Sequence, residues 1–230
     1  MTELLDAAVL ALRVAVVGTL VEALRQRNAS AAVNALFVLV VAFLPPIAAL
    51  ASGGAVDVDP VVALWLAAAG FLHSLGMLGL YERDTTWWWD HLTHTVSAAL
   101  FAALLYAGLL VGVAGAPEVA LSTEAVAGLT ILFTLAMGVF WELVELVARE
   151  VGERFDVEPV LVHYGRRDTA LDLLFDVVGA VLVVGLDLRL FVPLVEQFPD
   201  VTRLLVLWGG GIVVVGSVLM ALGVGLGGKA

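Results

Sequence analysis

The sequence predicts an all-α fold: an integral membrane helical bundle of about seven transmembrane helices, with the N-terminus outside. Three observations carry this expectation. Of 230 residues, 62% are hydrophobic and only 14% are charged, with a mean hydropathy of +1.05, which leaves too little polar surface for a core bathed in water. Crossing a hydrocarbon layer takes about 20 consecutive apolar residues, and such runs stand near 7–24, 32–52, 60–80, 88–113, 122–148, 169–194 and 204–226. Arginine is spread unevenly about these runs, which sets their direction. An outer-membrane barrel would show short alternating segments instead. The expected location is the cell membrane, crossed several times by one domain spanning 1–230.

The first run opens MTELLDAAVLALRVAVVGTL, with Glu3 and Asp6 where a secretory signal needs positive charge and with no small-residue cleavage site. It reads as a retained helix. Arg13 lies inside it, and Arg25 and Arg27 follow it, which the positive-inside rule assigns to the cytoplasm. Alternation from there puts Asp57, Asp59, Glu118 and Glu124 outside, and Arg83, Arg149, Arg154, Arg166, Arg167 and Lys229 inside. Eight of the eleven basic residues are then cytoplasmic, and only Arg189 and Arg203 lie outside. Pro45-Pro46 should kink or break the second run, because proline lacks a backbone donor and clashes with the preceding turn. The third run carries His73 toward its inner end, and the fourth begins WWWDHLTHTVS at Trp87. The fifth has Thr130 and Thr134 as the main polar groups of its outer half. Loop 149–168 mixes charges with Gly and Pro, and its His163 and Tyr164 read as solvated side chains more readily than as functional ones. The last run is rich in glycine, which lets helices pack closely in lipid.

Ten Arg and one Lys stand against 22 acids, for a net charge of −11. That balance resembles the acidic, brine-hydrated surfaces of proteins from salt-loving organisms, and it excludes a basic nucleic-acid footprint. With no cysteine in the chain, disulfides, thiolate metal sites and cysteine nucleophiles are excluded together. A retinal protein is excluded as well, since the single lysine, Lys229, sits beside the C-terminus and outside any helix centre. No internal repeat is visible, and an odd helix count argues against a simple inverted-repeat transporter.

Polar residues at the centre of a membrane helix cost roughly 2.5–3.5 kcal/mol each on insertion scales, so three clusters need a reason. Asp90, His91 and His94 open the fourth run; on a helix Asp90 and His94 lie about 40° apart, with His91 about 60° beyond His94. Glu142 and Glu145, in GVFWELVELVARE, share a face near the end of the fifth. Asp168, Asp172 and Asp176, in GRRDTALDLLFDVVGA, form a stripe that drifts about 40° per step down the start of the sixth. By the expected topology all three clusters occupy the cytoplasmic half of the membrane, and His73 stands at similar depth. Protons, arginines or a cation must intervene among so many acids and imidazoles, and the donor set suits a divalent metal cation with mixed oxygen and nitrogen ligands. Plainer readings stand beside this one. Trp87 to Trp89 fit an interfacial aromatic belt, Asp90 and His91 fit ordinary interface residues, and Asp168 fits a helix cap. Glu142, Glu145, Asp172 and Asp176 would also serve as protonated carboxyls bonding between helices.

At these clusters the chain resembles two groups of small multi-pass membrane proteins, the VanZ-like family and the YjdF-like inner-membrane family. Asp90 and His94 match the VanZ-like pair that opens a helix, and Glu142 matches its Glu-x-x-Gln, with Glu145 in place of Gln. Arg167 and Asp172 match its Arg and Asp five apart; Asp176 replaces Asn, and Gly179 is kept. The YjdF-like pattern is similar to Glu142-x-x-Glu145 and to Asp168-x-x-x-Asp172 ahead of Gly179, while its further acid falls at Gly165 here. The resemblance covers about residues 88–185 and implies a shared polar site without naming a reaction. The expected function is therefore stated in three forms. The first is a metal-dependent enzyme acting on lipid or isoprenoid head groups, with Asp90, His91, His94, Glu142, Glu145, Asp168, Asp172 and Asp176 as candidate ligands. In it, Glu142 or Asp172 serves as catalytic group, and Arg166 and Arg167 hold phosphate. The second is a carrier for a divalent cation or proton, and the third is a structural scaffold in the membrane. Membrane lipids are the expected partners.

Overall fold

The computed structural model describes residues 2–81, 84–113, 121–155 and 165–227, so Arg83, Glu118, His163, Tyr164 and Lys229 lie outside the described residues. The helices are α1 (Thr2–Arg25), α2 (Ala29–Ala51), α3 (Pro60–Leu75), α4 (Trp88–Gly108), α5 (Thr123–Phe155), α6 (Arg166–Gly185), the single turn α7 (Val192–Val195) and α8 (Pro199–Gly227). There is no strand among the described residues. Wider π-helical turns carry α3 on through Gly76–Leu80 and α4 through Leu109–Val113. Six helices, α1 to α5 and α8, are long and apolar enough to cross a membrane. The run expected over 169–194 ends earlier, at Gly185. Its helix, α6, has the length to span about 30 Å, but three aspartates keep it out of the apolar six. In the other direction, α5 continues to Phe155, so the first part of the expected loop 149–168 is helix.

Local sequence explains the helix starts. Asn28 caps α2 by accepting from Ala31 N at 2.9 Å, and Asp59 caps α3 by accepting from Val61 N at 2.7 Å, with Pro60 in the first turn where its missing N–H costs nothing. The expected break at Pro45-Pro46 does not occur, and α2 runs unbroken through both. Pro46 removes the donor that the Ala42 carbonyl would meet four residues on. Arg13 of α1 supplies one in its place, Nε to Ala42 O at 2.9 Å, with its guanidinium 4.9 Å from the centre of the Phe43 ring.

The bundle is organised about α4 and α6, its most closely packed pair. They run in the same direction: Asp90 and Asp172 meet near their starts, and at the other end Tyr106, in the last turn of α4, donates to Asp187, just past α6, at 2.8 Å. A Cβ on Gly179 would stand 2.5 Å from the Thr95 carbonyl oxygen and 2.8 Å from Ala99 N, so the two backbones come this close only because Gly179 has no side chain. Helices α1, α2 and α3 pack on one another, and α8 lies against α5. Trp65 and Trp89 join α3 to α4, donating to Val96 O at 3.2 Å and Leu72 O at 3.0 Å. Trp89 thus turns inward, whereas Trp87 and Trp88 are exposed as an aromatic belt requires.

The half of α4 away from Asp90 packs as a dry core. Ala99, Ala102, Ala103, Tyr106 and Ala107 meet Val126 of α5, Ala180 and Val183 of α6, and Phe191 with Val195 around α7. Thr130 lies in this half and Thr134 one turn nearer the acid end; they donate to Val126 O and Thr130 O of their own helix, at 2.9 and 2.8 Å. Past α6, Arg189 donates to both oxygens of Asp187, and with the Tyr106 hydroxyl it holds that carboxyl below the usual carboxylate range.

Candidate functional site

At the opposite end, the starts of α4 and α6 and the later part of α5 converge on His94. Its Nδ1 lies 3.1 Å from Asp176 Oδ1, while its Nε2 lies 3.6 Å from Asp172 Oδ1 and 3.9 Å from Asp90 Oδ1. The first contact is a hydrogen bond; the other two are too long to be one. If Nδ1–H donates to Asp176, Nε2 turns a lone pair toward two carboxylates, an arrangement relieved by a proton on Nε2 or on a carboxyl, or by a bound cation. For metal–ligand bonds of about 2.0–2.3 Å, the edges of a tetrahedral shell measure about 3.3–3.8 Å. The Nε2 separations fall at or just beyond that range.

Asp90, His91 and Asp172 each offer a ligand atom, all within 4.8 Å of one another. The His91 ring is fixed between α4 and α6, stacked on Phe175 with centroids 4.4 Å apart and planes 8° from parallel, with Trp87 edge-on at 5.7 Å. His91 Nδ1 and Asp172 Oδ1 are buried without a hydrogen-bond partner. Each such atom costs about 1–3 kcal/mol unless a water, ion or ligand meets it.

Helix α5 closes the site. Glu142 is buried and accepts from Thr169 of α6 at 2.6 Å. Glu145 is half-buried and accepts from Trp141 Nε1 on its own helix at 3.0 Å. Asp168 does not cap α6; Gly165 holds the cap position with φ 114°, a backbone conformation open to glycine, and Asp168 sits inside the first turn. An acid there is favoured by the helix dipole. Arg166 and Arg167 stand exposed at the first two positions of α6, beside the cluster and not within it.

The structure therefore brings Asp90, His91, His94, Asp172 and Asp176 together and ties Glu142 to them through α6. Several contributors were not visible in the sequence. Gly138 stands four residues before Glu142, on the same face, and lets the backbone of α5 lie against Asp176 Oδ2, which a Cβ would overlap. Thr169 holds Glu142, and its only signal was its place within RRDTALD. Beside the cluster, a cavity of about 340 Å³ opens between α2, α3, α4 and α5, lined by His73, His94, Asp176 and Asn34 among apolar walls. His73 Nδ1 lies 2.6 Å from the Tyr81 hydroxyl, whose ring folds back over Gly76.

The model of a family described as "Predicted membrane protein (DUF2238)" matches residues 7–192. That match takes in α1 to α6 and the start of α7, well beyond the span 88–185 that the polar motifs alone supported. None of the curated proteins and none of the solved structures matches the chain.

Proposed function

The chain belongs to this family of multi-pass membrane proteins, and we propose that its acid–imidazole site holds a divalent metal cation and acts on the head group of a lipid or isoprenoid at the cytoplasmic leaflet. The observation that carries this reading is the grouping of Asp90, His91 and Asp172, with His94 Nε2 beside Asp172 and Asp90 and with Asp176 fixing the other nitrogen of His94. Metal-bound histidines commonly donate their second nitrogen to a carboxylate in this way. Oxygen and imidazole donors without sulfur suit a borderline or hard divalent ion. When bound, such an ion polarises a phosphoryl or hydroxyl oxygen or activates water. Glu142, buried and oriented by Thr169, is then the candidate base. Glu145 and Asp168 add negative charge nearby, while Arg166 and Arg167 meet anionic groups at the surface of the same end. The VanZ-like resemblance falls on Asp90, His94, Glu142 and Asp172, and the YjdF-like one on Glu142, Glu145, Asp168 and Asp172.

A carrier would need a polar route to the far side. The alanine-rich packing of α4 against α6 and the self-satisfied hydroxyls of Thr130 and Thr134 favour chemistry at one end over passage.

The test is the melting temperature of purified protein after chelator treatment, with Mg²⁺, Mn²⁺, Ca²⁺ or Zn²⁺ added back. At a hundredfold excess over Kd a bound ion stabilises by about 2.7 kcal/mol, so at least one ion is expected to raise the melting temperature by several degrees. Asp172→Asn should abolish that rise, because a neutral amide is a poorer ligand for a hard cation. A wild type unmoved by all four ions would leave protons on His94 or on the carboxyls to hold the cluster together, and the metal reading would fall.

A further inference from the structure

Along α6, three side chains turn to the α4 cluster and each takes a different partner. Asp172 joins Asp90 and His91 in a group whose ligand atoms lie within 4.8 Å of one another, and Asp176 Oδ1 holds His94 Nδ1 at 3.1 Å. Between these two acids in the chain, Phe175 lies flat on the His91 ring, with centroids 4.4 Å apart and planes 8° from parallel. Such a stack fixes the plane of the imidazole, and His91 supplies the one nitrogen of that group. Asp172 is only 3% exposed, and its Oδ1, like His91 Nδ1, is closed to water and has no hydrogen-bond partner. A bonded water stands about 2.8 Å away, whereas a transition ion stands about 2.0–2.3 Å away. A bare ion therefore meets atoms that water does not reach. Mg²⁺ keeps several waters and Ca²⁺ gathers about six to eight oxygens, so neither suits a water-free point with an imidazole donor. Co²⁺ and Zn²⁺ do.

We propose that Phe175 is a positioning residue that makes this centre select a borderline transition ion over Mg²⁺ and Ca²⁺, by holding the His91 ring so that its nitrogen stays within reach of Asp90 and Asp172. Without the stack the imidazole is free to turn away, and the carboxylates that remain discriminate less between hard and borderline ions. The proposal rests on the metal reading of the cluster and adds which class of ion it takes and which side chain decides it.

The experiment uses the purified whole chain in detergent after chelator treatment. Co²⁺ is titrated by its visible absorption, which responds to nitrogen ligation, and Zn²⁺, Mg²⁺ and Ca²⁺ are measured by competition against it. The wild type is expected to bind Co²⁺ and Zn²⁺ about a hundredfold more tightly than Mg²⁺ or Ca²⁺. Phe175→Leu should weaken Co²⁺ binding about tenfold and shift its spectrum, while Mg²⁺ binding changes by less than about twofold. Phe175→Tyr, which keeps the flat ring, should retain the wild-type values. His91→Gln should lose the same preference, and in that background Phe175→Leu should change Co²⁺ binding by less than about twofold, because Phe175 acts only through the imidazole. Phe175→Met takes the place of Phe175→Leu if that variant does not fold. Leu174→Ala, at an exposed position of α6, is the control that should change nothing. A wild type that prefers Mg²⁺ or Ca²⁺, a preference unchanged by loss of the Phe175 ring, or a loss that persists in full without His91 overturns the proposal and leaves the metal reading standing. A wild type that binds none of the four ions overturns both.

Discussion

At Gly138 the backbone of α5 rests against the Asp176 carboxylate, and a Cβ there would overlap Asp176 Oδ2 and stand 2.9 Å from Leu173 Cδ2. Asp176 in turn fixes His94. Alanine is worth about 1 kcal/mol more than glycine inside a helix, yet Gly138→Ala is expected to lower the stability by about 1–3 kcal/mol through overpacking. It should also blunt any metal-dependent rise in melting temperature, because Asp176 must leave His94. Gly128, which meets nothing within 4 Å, is the control: Gly128→Ala should leave both measurements unchanged or slightly improved. This scale was the most unevenly legible in the sequence. Asp90, His94, Asp172 and Asp176 announced themselves because charge in an apolar run has no cheap explanation. Gly138 did not, since glycine in a membrane helix looks like ordinary packing until the partner across the interface is known. The same holds for Thr169, whose role depends on a carboxylate contributed by another helix.

Among the elements, α2 departs most from expectation. A double proline predicts a kink from the backbone of one helix alone, but the freed Ala42 carbonyl is met by Arg13 from α1. The cost of the arginine in the membrane and the cost of the proline are therefore shared. A double-mutant cycle should show this coupling. Arg13→Met should destabilise by about 1–3 kcal/mol, the penalty for stranding a buried acceptor, and much less in a Pro46→Ala background, where residue 46 regains its own N–H toward the Ala42 carbonyl. The measurement is the unfolding free energy of the two single variants, the double variant and the wild type. Equal losses from Arg13→Met in both backgrounds would show that Arg13 acts through its packing on Phe43 instead. Helix existence was legible throughout from apolar run length, while helix ends were not: α5 continues past its apolar stretch and α6 stops short of its own, because hydropathy does not fix where a helix stops.

For the whole molecule, the orientation is an expectation from the arginine bias, by which the acid end of the bundle would face the cytoplasm. Glu153, exposed near the end of α5, gives a direct readout: in Glu153→Cys, in a chain that has no other cysteine, an impermeant thiol reagent should label opened cells and leave intact ones unlabelled. Labelling of intact cells would reverse the topology and move the site to the other leaflet. The bundle and its multiple crossings were legible from composition, yet the pairing of α4 with α6 was not, because Gly179 and the alanines between them carry no pattern that names a partner. The cavity lined by α2 and α5 has a consequence for measurement: any ligand that reached it from the bilayer would be counted against the surrounding lipid, so its occupancy would follow mole fraction and not molarity.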